Sequence, residues 1–258
     1  MDTSDFSKAQ GHWILAKMGK KVLRPGGREL TQKLIQNLHI TSSDDVVEFA
    51  PGLGYTASLA INQRPKTYVG VDADDDAIAL LKNKIKGNTI DFIKGNAAET
   101  ELPSDSKDKV YGEAMLTMHA DHRKSEIIRE AHRILKKGGL YAIHELGLQP
   151  ETLSEEEKAT IQRDLAVAIK VNARPLTIME WTSLLEKEGF RVHSVETNGM
   201  CLLETKRMIQ DEGLLGFLRI NLNILRNKAA RKRVTEMQRT FKKHDKQMNA
   251  LVIVAEKI

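Results

Sequence analysis

The sequence predicts an α/β protein built on a doubly wound, mostly parallel sheet of seven strands. Three observations point there. Short β-branched runs alternate with amphipathic stretches from about residue 46 to residue 188, the rhythm of parallel strands covered by helices on both faces. The first run ends in glycines at a strand-to-helix seam, "VVEFAPGLGYTA". Two more strand-like runs, "GFRVHSVET" and "NALVIVAEKI", close the chain with a basic helical stretch between them.

In chain order, residues 5–20 are expected to form a helix burying Phe6, Trp13 and Ile14, which "RPGG" at 24–27 then breaks. "RELTQKLIQNLHI" places Leu30, Leu34, Ile35 and Leu38 on one helical stripe. Strands are expected at 46–50, 67–71, 89–93, 109–114 and 140–144, and helices at about 55–63, 75–86, 122–136, 154–171 and 177–188. The stretch 205–247 is too long for a simple connection and reads as a helical insertion or cap before the last strand. The expected division is an N-terminal helical cover at 1–40 and one domain at 41–258 that carries this insertion.

With 258 residues, 41% hydrophobic and 29% charged, the chain suits a globular protein with a substantial core. Cys201 is its only cysteine, which excludes an internal disulfide and a multi-cysteine metal site and suits a reducing compartment. "MDTSDFSKAQGHW" lacks the basic-then-apolar pattern of a signal peptide, and no apolar run approaches bilayer length. A cytoplasmic protein, monomeric or homodimeric, is expected. The net charge of +5 is uneven: residues 205–247 hold twelve Lys or Arg against four Asp or Glu. The positive charge therefore belongs to one segment, which argues against nucleic acid as a partner.

At the first seam, Gly52 and Gly54 permit torsions and a close approach that a Cβ would forbid. The following helix N-terminus favours a negatively charged ligand group. Asp72 closes the second strand, twenty residues after Gly52, where a carboxylate can accept both hydroxyls of a ribose. The ligand is therefore expected to be a nucleoside derivative. A dinucleotide would fit the glycines too, with Ala57 as the third small residue. Glu48 favours another ligand, because a carboxylate there repels a pyrophosphate and attracts an ammonium group.

"VVEFAPGLGYTA", "YVGVDADDDAI", "FIKGNAAETELP" and "EIIREAHRILKKGGLYAIHEL" follow one another as in class I S-adenosylmethionine-dependent methyltransferases. The chain most resembles their small-molecule branch, which includes the ubiquinone/menaquinone-biosynthesis-type enzymes. The likeness covers residues 44–146 well, and 175–197 and the last strand more loosely. It implies a Rossmann-like fold, S-adenosylmethionine as cofactor, S-adenosylhomocysteine as product and a small-molecule methyl acceptor. It also implies residue roles. Glu48 helps hold the methionine ammonium group, while Ala50, Gly52 and Gly54 line the loop beneath it. Asp72 takes the ribose hydroxyls, Ala73 flanks the adenine, Asn96 accepts from the adenine amino group, and the Ala97 N–H meets a ring nitrogen. Glu113 and Met115 face the methionyl side and the transfer position. Ala50 stands where glycine is common, which is tolerable if its torsion is ordinary. Asn96 stands where aspartate is common, which keeps the acceptor oxygen and loses the charge.

Methyl transfer from a sulfonium is an in-line displacement, so the protein chiefly positions the nucleophile and excludes water. Where the acceptor needs a base, histidine suits neutral pH. His119, His122 and His144 lie at or just beyond the ends of the fourth and fifth strands, with His119 ahead of His122 in "MLTMHADHR". His144 and Glu145 could instead form an orienting pair. No metal site is expected, and Cys201 reads as a small apolar residue. The insertion has an apolar face of Leu214, Leu215, Phe217, Leu218, Leu222 and Leu225 beside Arg219, Arg226 and Lys228. That pattern suits a lid over an apolar substrate, a helix resting on anionic lipid, or a hairpin packed on the domain. Alternatives to the methyltransferase are an NAD(P)-dependent oxidoreductase and a fold that binds cofactor or partner without turnover.

Overall fold

The computed structural model describes Phe6 and residues 9–258. Residues 5, 7 and 8 of the first expected helix, and most of the stretch read for a signal peptide, lie outside the described residues. The helices are α1 (Gly11–Lys17), α2 (Gly27–Leu38), α3 (Tyr55–Ile61), α4 (Asp75–Lys84), α5 (Asp121–Ile134), α6 (Glu155–Ile169), α7 (Ile178–Lys187), α8 (Thr205–Arg226) and α9 (Lys228–Lys243). The strands are β1 (Asp45–Phe49), β2 (Thr67–Asp72), β3 (Ile90–Lys94), β4 (Lys107–Glu113), β5 (Leu135–Leu148), β6 (Leu176–Thr177), β7 (Phe190–Gly199) and β8 (Met248–Lys257).

The sheet order is β3-β2-β1-β4-β5-β8-β7, with the two-residue β6 beside β5. β6 makes one strand more than the seven expected; the segment before α7 is too short to read as a strand in sequence. β1 pairs in parallel with both β2 and β4, so the strand order reverses there and opens a crevice at the carboxyl ends. β8 runs antiparallel to its neighbours β5 and β7. Apolar residues alternate between two layers. Val47, Phe49, Val110 and Ile143 join the α5 and α7 side, and Val46, Tyr68, Tyr111 and Ala142 join the α2 and α3 side. Leu30, Leu34, Ile35 and Leu38 of α2 are all buried on that second face, so α2, counted with the N-terminal cover in the sequence reading, packs on the sheet.

Helix starts follow local chemistry. Asp74 accepts from Asp76 and Ala77 N–H at the head of α4, and Ser154–Glu157 and Thr177–Glu180 form capping boxes for α6 and α7. β5 begins directly where α5 ends and runs well beyond the expected 140–144. The "KKGG" stretch, which reads as a helix end, is already extended chain.

A separate small core lies over the carboxyl ends of the strands. Phe6, Ile14, Leu15 and Met18 meet Met208, Ile220, Val234 and Met237 there. Trp13, expected to be buried with Ile14, is only half-buried. Two acids tie α8 to the N-terminal segment. Asp211 accepts from the Arg28 N–H and sits 3.5 Å from the buried Lys20 ammonium, and Glu212 accepts from the Lys21 and Val22 N–H groups. Gly213 then breaks α8 (φ 74°, ψ 165°). Beyond that break Phe217, Ile220 and Ile224 turn inward, whereas Leu214, Leu215, Leu218, Leu222 and Leu225 face solvent, 48–83% exposed. Of the six residues expected to share one apolar face, the five leucines do so and Phe217 turns to the other side. The stretch is apolar on two sides, and periodicity alone does not say which side turns in. Among the described residues, no helix is long and apolar enough to cross a membrane.

Candidate active site

The loops after β1 and β4 flank the crevice, and both begin with a strained alanine. Ala50 has φ +54° and Ala114 φ +52°, a left-handed geometry that costs a residue with a Cβ about 1–2 kcal/mol. The ordinary torsion on which the tolerance of Ala50 was conditional is therefore not found. Each alanine is pinned by a backbone bond: Ala50 N donates to Val71 O (2.8 Å) and Ala114 N to His144 O (2.7 Å). Gly54 is also left-handed (φ +75°), and a Cβ there would meet Leu81 Cδ2 at 2.5 Å. No neighbour comes within 3.9 Å of a Cβ built on Gly52, so the loop stays open on the side where a ligand would lie.

Asp72 at the end of β2 braces this loop. Its Oδ2 accepts from Gly52 N (3.0 Å) and its Oδ1 from Asp74 N (3.0 Å). The residue is 9% exposed, more buried than a strand-end position suggests. Ala73 and Asn96 are exposed and Ala97 is half-buried. Asn96 Oδ1 accepts from Ala98 N (3.0 Å) and from Arg123 Nη2 (2.6 Å). Arg123 thus places a guanidinium against the Asn96 side chain.

Beneath the crevice lies a buried polar hub that the sequence does not announce. Glu113, at the end of β4, receives two donors on each oxygen. Thr31 Oγ1 (2.8 Å) and His144 Nδ1 (2.6 Å) bind one, and Thr56 Oγ1 and Arg24 Nη1 (2.7 Å) bind the other. Burial alone would push the Glu113 carboxyl up. Arg24, His144 and Thr56 overcome it and hold the group at about 2. Glu48 lies close by, with its Oε2 accepting from both the Tyr68 and Tyr111 hydroxyls. Here burial wins over the two phenols and raises the carboxyl to about 7. The two carboxyls are thereby driven apart, one a fixed anion and the other poised near neutrality.

His144, placed by the sequence reading among the candidate bases, is 0% exposed. Its Nδ1 meets Glu113 and its Nε2 meets the Pro25 carbonyl (2.6 Å). Both ring nitrogens are therefore engaged inside the protein, which leaves neither free to face a substrate. Nor does it pair with Glu145. That carboxylate instead accepts from the Met115, Leu116 and Thr117 N–H groups and from Thr117 Oγ1 (2.7–3.0 Å), pinning the short 3-10 turn Leu116–Met118.

An apolar cavity of about 90 Å³ opens between this turn and the cap. Leu15, Leu23, Ala114, Leu146, Met237 and Phe241 are among its walls, and His12, Thr117 and Glu145 are its polar groups. Met115 is buried beside it on the same turn. Neither His119, half-buried, nor His122, exposed on the first turn of α5, lines the cavity. Burial pushes the His12 imidazole below its ordinary range, with Asp74 pulling it partly back. His12 therefore stands between the cavity and the β2 end. Arg24, Thr31, Thr56 and Thr117 were not singled out by the sequence reading of the site, and His12 only as part of the N-terminal cover. The three threonines carry no motif of their own, and the sequence placed His12 and Arg24 only within the N-terminal cover expected at 1–40. Among the described residues, no group of three or more His, Cys, Asp or Glu could hold a metal ion.

Comparison with known proteins adds to this geometry. Residues 47–143 match the family model described as a methyltransferase domain. An uncharacterized protein of Haemophilus influenzae is 33% identical over 251 residues, covering 96% of this chain and 98% of that protein. Phosphoethanolamine N-methyltransferase of Plasmodium falciparum is 22% identical over 213 residues, 76% of this chain and 80% of that enzyme. Among solved structures, Haemonchus contortus phosphoethanolamine N-methyltransferase 2, in complex with phosphomonomethylethanolamine and S-adenosylhomocysteine, superposes with a TM-score of 0.68. It is 20% identical, and the match covers 95% of this chain and 56% of that one.

Proposed function

Because the chain belongs to the class I S-adenosylmethionine-dependent methyltransferases, we propose that it methylates an apolar small molecule held beneath its helical cap. The observation that carries this reading is the cavity at the ends of β4 and β5. Its walls are almost wholly aliphatic or aromatic and include no Lys or Arg. The related phosphoethanolamine enzymes are named for a phosphorylated acceptor, and a phosphate needs cationic or dense hydrogen-bonding partners. The cavity lacks the cations, which favours an apolar acceptor.

The residues at the crevice fit the cofactor. A methionine end carries one ammonium and one carboxylate, and the hub offers Glu48 and Glu113 beside Arg24. In this reading Glu113 and Glu48 hold the ammonium group, Arg24 turns to the carboxylate, and Gly52 and Gly54 leave room for both. Asp72 takes the ribose hydroxyls. Ala73, Asn96 and Ala97 line the adenine, with Arg123 yielding Asn96 Oδ1 to the amino group. S-adenosylmethionine supplies a methyl group already activated on sulfur. Met115 packs beside the transfer position, and Glu145 holds the turn that carries it. The aliphatic walls exclude water. His12 replaces His119, His122 and His144 as the base, because it alone of the four lines the cavity, and its lowered basicity keeps it neutral at pH 7.

Incubation with methyl-labelled cofactor and a polarity-fractionated metabolite extract tests the acceptor: label is expected in the organic-soluble fraction. Label confined to phosphorylated aqueous products would overturn it. His12→Gln is expected to lower kcat by roughly 10²-fold and to remove the acidic limb of the pH profile, with S-adenosylhomocysteine affinity unchanged. An unaltered limb would remove His12 from the chemistry.

A further inference from the structure

Among the described residues the outer face of α8 is an unpartnered apolar surface with a positive border, and the geometry points to an anionic phospholipid bilayer as its occupant. After the Gly213 break, Leu215, Leu218, Leu222 and Leu225 recur at three- and four-residue steps, with Leu214 alongside. Together they expose roughly three leucine side chains' worth of apolar surface, and a contiguous patch of that kind marks an interaction site. These leucines are not spare core residues, because the opposite side of the helix already carries Phe217, Ile220 and Ile224 into the cap.

Charge selects the partner. Arg219 and Arg226 lie one helical turn beyond Leu215 and Leu222, and Lys228, Arg231 and Lys232 continue the positive border on α9; all five are exposed. Between Glu212 and Glu236 the chain contains no Asp or Glu. A second copy docking through the same face would set these cations against each other with no acid to pair them. A membrane rich in anionic headgroups satisfies both halves of the surface. The leucines enter the headgroup–acyl boundary and the guanidinium and ammonium groups meet phosphates. Among the described residues no helix is long and apolar enough to cross a membrane, and the surface of α8 suits a contact at the headgroup level. The inward side of the same hairpin supplies Met237 and Phe241 to the cavity. Docking would therefore bring the apolar pocket close to a reservoir of apolar molecules. The lipid contact itself does not depend on the acceptor proposed above.

Flotation of the full chain with phosphatidylcholine vesicles, with and without phosphatidylglycerol, tests the inference. The expected result is binding to the anionic vesicles only, weakening as salt rises. Leu215→Asp combined with Leu222→Asp is expected to abolish it, and Arg226→Glu with Lys228→Glu to lower it at least about tenfold. S-adenosylhomocysteine affinity should stay at the parent value in both variants, which shows that they are folded. Failure of the parent to float with anionic vesicles would overturn the inference. So would equal binding to neutral vesicles, or a parent dimer in sedimentation velocity that the leucine variant dissociates.

Discussion

Replacing Glu113 by glutamine keeps the shape of the side chain and removes its charge. The amide oxygen can still accept from Thr31 and His144, and the Thr56 hydroxyl can rotate to become an acceptor. Arg24 cannot: its guanidinium only donates, and it would face an NH₂ group while its side chain is only 12% exposed. Two routes give the size of the loss. Glu113 is held at about 2 against an ordinary 4.5, and that difference is worth ~3 kcal/mol of folding free energy at neutral pH. Removing one partner from a buried ion pair costs about 3–5 kcal/mol. The sign follows from a depressed carboxyl: its stabilisation is complete above pH 4.5 and is lost as pH falls toward 2. Urea unfolding of parent and Glu113→Gln should therefore differ by about 3 kcal/mol at pH 7 and converge near pH 2. The difference between the two proteins isolates this group from the other carboxylates. A loss under ~1 kcal/mol at pH 7, or a gap that does not close in acid, would refute the description of the hub as a charge-bearing structural element.

Two further perturbations address the loops at the crevice. Asp72→Asn should weaken S-adenosylhomocysteine binding at least about tenfold in calorimetry, through loss of a charge-assisted acceptor. It should also lower the melting temperature, because one amide oxygen cannot serve both Gly52 N and Asp74 N. Ala50→Gly should raise stability by up to ~1 kcal/mol, since relief of the left-handed torsion outweighs the added freedom of the unfolded chain. A destabilised glycine variant would show that Ala50 contributes packing the torsion argument ignores.

The sheet and its helices were legible because their signals are local. A run such as Val46–Phe49 and the glycines that follow it carry their own period and punctuation, and Asp74 caps α4 from one residue away. The hub was not legible, because Arg24, Thr31, Thr56, Glu113 and His144 come from five separate segments and meet only once β4 and β5 are aligned. The histidine reading shows the same limit. His119 and His122 lie next to a strand end in sequence, yet the turn that Glu145 pins carries them away from the cavity, while His12 arrives from the far N-terminus. The leucines of α8 were read as one apolar stripe together with Phe217, which turns to the other side. Their exposure depends on Phe217, Ile220 and Ile224, whose claim to the interior sequence periodicity does not rank.

β7 and β8 pair antiparallel along their length, from Phe190 with Lys257 to Gly199 with Asn249. The cap, residues 200–247, therefore leaves and re-enters the sheet at directly opposed neighbours. The entropy of closing that long excursion is met by the hairpin at its base and grows slowly with length, about 0.6 kcal/mol for each doubling. Thermodynamically the cap is a side branch. Asp72, Glu113 and the loop at Gly52 belong to strands on the other side of β5, and the cap reaches them through Asp211 and Glu212, which hold the segment that carries Arg24 onto Glu113. A change of length in the cap is therefore felt at the crevice through that N-terminal segment, while the strands that carry Asp72 and Gly52 keep their register.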